Sequence, residues 1–146
     1  MSKKPKYQKR LFESTGAKSD ISANIYLSML TSEAWFDLSR AQQVLYLACK
    51  SRYYGEKKKP VEGDSETFTF ARYQWKEVYK LYTDYNKRGF YRDMQALLDH
   101  GFIELVSSGR ATREKNIYKF SSMWRHFGTA NFSIPANQKV TVSKKA

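Results

Sequence analysis

A single cysteine, Cys49, stands among 146 residues, so no intrachain disulfide can form and the fold must rest on its core. Its neighbours Leu45, Leu47 and Ala48 mark it as a small buried hydrophobe suited to a reducing compartment. Histidine is scarce as well: His100 and His126 are the only two, and no carboxylate pair, phosphate-cradling glycine loop or metal-ligand spacing accompanies them. The chain therefore reads as a non-enzyme without a cofactor, and a nickase or relaxase would lack its histidine cluster. No apolar run is long enough to span a bilayer. The opening "MSKKPKYQKRLF" carries charge without the apolar stretch of a signal peptide, so a cytoplasmic protein with no membrane contact is expected.

Acids are the last scarcity: 14 of them face 26 Lys and Arg, for a net charge of +12. A balance that basic makes a polyanion the first partner to consider. Residues 1–18 hold six basic residues against Glu13 alone, and residues 129–146 hold three lysines and no acid, leaving 17 basic against 13 acidic residues between. Both ends lack apolar periodicity. They read as flexible basic arms, 1–20 and 128–146, flanking one domain over 21–127 whose 41% hydrophobic and 16% aromatic content suffices for a core.

Within that domain, Ile21, Ile25 and Met29 predict a short helix over Asn24–Leu30. Ser39 offers an N-cap to "RAQQVLYLACKSRYYG", a helix whose apolar face is Ala41, Val44, Leu45, Ala48 and Cys49. The segment "EKKKPVEGDSE" buries nothing and reads as a loop, and "TFTF" as a small strand. Trp75, Val78, Tyr79 and Tyr82 set a further helix, with Thr83 or Asp84 placed to cap the next. From Asp84 to His100, Phe90, Met94, Leu97 and Leu98 form one apolar stripe. At about 100° per residue, Tyr85, Arg88, Arg92 and Gln95 fall opposite, with Gly89 and Ala96 between. Gly101 stops that helix. "FIELVSS" and "IYKF" then pair as a hairpin whose tip carries Arg110, Arg113 and Lys115.

Helix, turn, helix and two-stranded ribbon is the order of a winged helix-turn-helix, so the expected fold class is α+β, mainly α, with a small hairpin wing. Such a helix suits the major groove of double-stranded DNA. Arg88 and Arg92 offer donors to guanine, Gln95 an amide to adenine, Gly89 room for close approach, and Tyr85 and Lys87 contacts near the helix start. The basic tip would meet the backbone or the minor groove.

At "WFDLSRAQQVLYLACKSRYYG", "YRDMQALLDHGFIELVSSG" and "NIYKFSSMW" the sequence resembles winged-helix proteins encoded by bacterial plasmids, phages and integrative elements, among them the N-terminal domains of plasmid replication initiators. The resemblance covers roughly residues 21–125, and "ALLDHGFIE" is its most specific piece. It implies a recognition helix over Tyr85–Gln95 and a wing over Arg110–Lys115, acting in replication, DNA transfer or transcriptional control beside other proteins of a replication or transfer complex. Two features depart from the family pattern: the aromatic turn "KLYTDYNKRGF" and the glycine inside the recognition helix. Two further classes stay open. A protein-interaction winged helix would expose an apolar patch where the arginines stand, and a single-strand binder would use Tyr53, Tyr54, Tyr73 and Tyr85 as stacking platforms.

Overall fold

The computed structural model describes residues 10, 12, 23–52, 67–109 and 115–140, and shows an α+β fold. Its helices begin with α1 (Leu27–Leu30), α2 (Glu33–Asp37) and α3 (Arg40–Lys50). The expected helix start at Asn24 is corrected to Leu27, and α2 is an addition to the sequence reading. Ser32 creates it: its hydroxyl accepts from the Trp35 amide at 3.2 Å, and Glu33 in the first turn complements the positive helix end.

Ser39 caps α3 as expected, in a reciprocal box. Its hydroxyl accepts from the Gln42 amide at 3.2 Å, while the Gln42 Oε1 accepts from the Ser39 amide at 2.9 Å. The buried face of α3 is rotated from the expected one: Leu45, Tyr46, Ala48 and Cys49 are buried, whereas Ala41 and Val44 face outward. Tyr46 wins that place because its ring meets Trp35, Phe102 and Phe120 at once. Cys49 is fully buried, and burial pushes its thiol well above the ordinary range.

β1 (Thr67–Thr69) leads into a wide helical segment, Tyr73–Val78, with an i→i−5 bond from the Tyr79 amide to the Gln74 carbonyl. The expected longer α-helix ends early here. Lys80 adopts a positive φ of 53°, and the amides of Leu81 and Tyr82 both turn back to the Trp75 carbonyl, so Tyr82 enters the core from beyond the helix. Trp75 is buried against Phe90, while Val78 is exposed. A 3-10 turn, Asp84–Asn86, precedes α4 (Lys87–Asp99). Neither Thr83 nor Asp84 makes the expected capping bond.

α4 buries the stripe Phe90, Met94, Leu97 and Leu98 against α3 and β2 (Ile103–Ser107). β3 (Ile117–Phe120) lies between β1 and β2 in a three-stranded antiparallel sheet of order β1-β3-β2. Tyr118 is the shared register point, opposite Phe68 on one side and Leu105 on the other, with a bulge between Leu105 and Ser107. The hairpin base is tied by Asn116, whose Oδ1 accepts from the Gly109 amide at 2.9 Å. The predicted loop falls wholly outside the described residues, as do Tyr53 and Tyr54, and so does nearly all of the N-terminal arm.

The chain beyond β3 corrects the expectation of a flexible tail from residue 128, because residues up to 140 are fastened to the body. Phe132 meets the ring of Phe127 edge-on, and Val140 packs against the core. Gln138 reaches the outer edge of β2, its Oε1 accepting from the Leu105 amide at 2.7 Å and its Nε2 donating to the Leu105 carbonyl at 3.0 Å. The side-chain amide thus stands where a neighbouring strand's peptide group would.

The stop of α4 is doubly determined. The Phe102 amide donates to Leu97 and the Gly101 amide to Leu98, and Gly101 takes a φ of +79°. A Cβ there would sit 2.7 Å from the Trp124 nitrogen, a backbone atom. Gly101→Ala is therefore expected to lower stability by at least about 1–3 kcal/mol, measured by urea unfolding with an unchanged m-value; a loss within error of zero would show that this turn relaxes freely.

Candidate nucleic-acid interface

What fixes the rotation of α4 is a buried carboxylate. Asp93 is 2% exposed and accepts from the Tyr82 hydroxyl at 2.6 Å and from Gln42 Nε2 at 3.2 Å. Gln42 is the same residue that closes the α3 capping box, so one side chain joins the start of α3 to the middle of α4. Burial, and then the bond to Asp93, push the Tyr82 phenol far above its ordinary range, which keeps it a donor.

With Asp93 turned inward, the opposite face is presented to solvent. Tyr85 is fully exposed, Arg88 is exposed without an ion pair among the described residues, and the Arg92 side chain is 76% exposed with its Nε 3.6 Å from Asp93. Lys87 is half-buried and holds its ammonium 6.0 Å from the centre of the Tyr91 ring. The first two turns of α4 and the turn before them thus form one basic and aromatic surface. Gly89 has a different reason from the expected one: it is buried, and a Cβ would meet the Asn86 Oδ1 at 2.5 Å, so its small size admits the Asn86 side chain from the preceding turn.

Gln95, expected to read adenine, is committed elsewhere. Its Nε2 donates to Asp99 Oδ1 at 2.9 Å and to the Gln138 carbonyl at 2.8 Å, and its Oε1 accepts from the Val140 amide at 2.8 Å. Both amide hydrogens and the carbonyl are in use, so a bidentate base contact has nothing left to employ. Lys115 is exposed beside β3, and Arg110 and Arg113 lie outside the described residues.

Two basic residues escaped the sequence reading, and Asp84, expected as a cap, joins them instead. Arg72 donates to both oxygens of Asp84 at 2.7 and 2.9 Å, and Lys76 bonds the same carboxylate. These donors hold the Asp84 carboxyl well below the usual range, Arg72 contributing most. Arg72 and Lys76 are four residues apart, a spacing that puts them on one helical side, but nothing in the sequence tells which acid between them and α4 would join them. The cluster sets two further cations beside the start of α4.

No protein-family model, curated protein or solved structure matches this chain.

Because Asp93 sits inside and Arg88 outside, the two faces of α4 should respond oppositely to substitution. Tyr82→Phe leaves a buried carboxylate oxygen without its donor and is expected to cost about 1–3 kcal/mol, whereas Arg88→Ala should stay within about 0.5 kcal/mol of the parent. Denaturant titration of both variants decides it, and equal losses would mean that α4 is turned differently.

Proposed function

We propose that this chain is a double-stranded DNA-binding protein with a winged-helix arrangement, in which α4 enters the major groove and the β2–β3 hairpin rests on the adjacent backbone. The observation that carries the reading is the surface made by Tyr85, Lys87, Arg88 and Arg92, which is basic, outward and free of aliphatic bulk. Such a face fits a groove about 12 Å wide that offers acceptors on guanine and phosphates on its rims. The sheet order supports the same arrangement. β1 pairs with β3, so the second strand of the hairpin has a neighbour on each side, and Lys115, exposed just before that strand, is offered for a second contact. The resemblance described above adds the setting: replication, transfer or transcription of a mobile element, with other proteins of such a complex as further partners.

Arg88 and Arg92 specify in this reading, and the hairpin positions. The cluster of Arg72, Lys76 and Asp84 lies at the entrance of the helix, where phosphates pass, and Asp84 tempers two cations that would otherwise attract any polyanion. The single-strand alternative draws on Tyr73 and Tyr85, which are 62% and fully exposed.

Fluorescence titration against matched duplexes is expected to give a log–log salt slope of about −4 to −5, the value for roughly five neutralised phosphates. Arg88→Ala and Arg92→Ala should each cost roughly 1–3 kcal/mol on the preferred duplex and less on random DNA, while Lys115→Ala should weaken both alike. A slope near zero, or tighter binding to single strands of the same sequence, would overturn the reading.

A further inference from the structure

The segment around Gln138–Val140 has no role in the arrangement described so far, yet it is held at three points. Gln138 grips both backbone groups of Leu105, its own carbonyl accepts from Gln95, and the Val140 amide donates to Gln95. Val140 is half-buried against the core, Gln138 is half-buried, and Lys139 between them is exposed. Asn137 enters the segment with a φ of 64°, a turn that an asparagine tolerates better than most side chains. A short, irregular stretch of chain is thereby laid between α4 and the edge of β2, with the two flanking residues fastened and the lysine between them exposed.

Gln95 lies one turn beyond Arg92 and two beyond Arg88 on the same face of α4. Resting on the duplex-DNA reading, we infer that this strap forms a further part of the nucleic-acid interface: Lys139 continues the cationic row past Arg92 and meets a DNA phosphate, while Gln95 and Gln138 are positioning residues that hold it there. Gln95 then does not read a base. Its amide exchanges sequence recognition for the anchoring of a phosphate contact, which also explains why a polar residue with all its bonding capacity spent sits on the outward half of α4.

The test uses the full chain, with preferred and random duplexes as probes. Lys139→Gln should flatten the salt slope by about one unit and weaken binding roughly five- to tenfold near 0.1 M salt on both duplexes. Gln138→Ala removes no charge, yet it should produce the same flattening, because the lysine loses its placement; Gln95→Ala, which releases the other anchor, should do so as well. Lys139→Gln added to either should bring no further loss. Thermal melts identify a variant that fails to fold, and the remaining anchor variant then carries the comparison. Parent-like slopes for the anchor variants would overturn the positioning role, as would a loss with Gln95→Ala confined to the preferred duplex, which would return that residue to base reading. A parent-like slope for Lys139→Gln would remove the phosphate contact. If the parent itself binds no duplex at low salt, the broader reading fails and this inference with it.

Discussion

A carboxylate in the core is costly unless its oxygens are matched by donors, and that requirement at Asp93 fixes the geometry of this protein. Tyr82 and Gln42 supply the donors from two different parts of the chain, one from the turn before α4 and one from the first turn of α3. Neither can be met unless α4 is rotated so that Asp93 faces inward. The rotation in turn sends Arg88 and Arg92 outward and sets Phe90, Met94, Leu97 and Leu98 on the core. The apolar stripe alone sets that rotation less sharply, since apolar burial is non-directional. Hydrogen bonds to one carboxylate narrow it.

The same economy of parts runs through the rest of the surface. Gln42 closes a helix cap and holds Asp93; Gln138 blunts a sheet edge and fastens the strap; Asp84 gathers Arg72 and Lys76. Each is a polar side chain joining parts of the chain at least a dozen residues apart. The outward hydrophobics Phe36, Val44 and Leu47 belong to α2 and α3, whereas the outward residues of α4 and the turn before it include Tyr85, Arg88 and Arg92. The proposed recognition face is therefore basic and aromatic rather than aliphatic, which favours the nucleic-acid reading over that of an interaction module.

Periodicity made the strong elements legible. The stripe of α4, the Ser39 cap, the glycine stop at Gly101, the strand at Thr67–Thr69 and the β2–β3 pairing all follow from local rules that act within a few residues, and Cys49 and Trp75 are buried as their neighbours implied. What the sequence hid depends on distant partners. Tyr46 displaced Val44 from the core face because aromatic neighbours arrive from α2, β3 and the chain after α4. The helix at Tyr73 stops short because Lys80 turns left-handed and carries Tyr82 inward. Gln95 looked like a base reader because its position on the face is right, and only the return of the chain at residues 138–140 shows its amide to be occupied. Side-chain amides serve both purposes equally well, so their neighbours rather than their identity decide.

The central claim, that the first two turns of α4 are the contact surface for duplex DNA, is tested most directly by titrating the isotope-labelled chain with a short duplex and following backbone amide shifts. The account predicts that the largest perturbations fall on Tyr85 to Arg92, with smaller ones at Lys115 and Lys139 and none on the outward side of α3. Perturbations centred on Phe36, Val44 and Leu47 with α4 silent would contradict it.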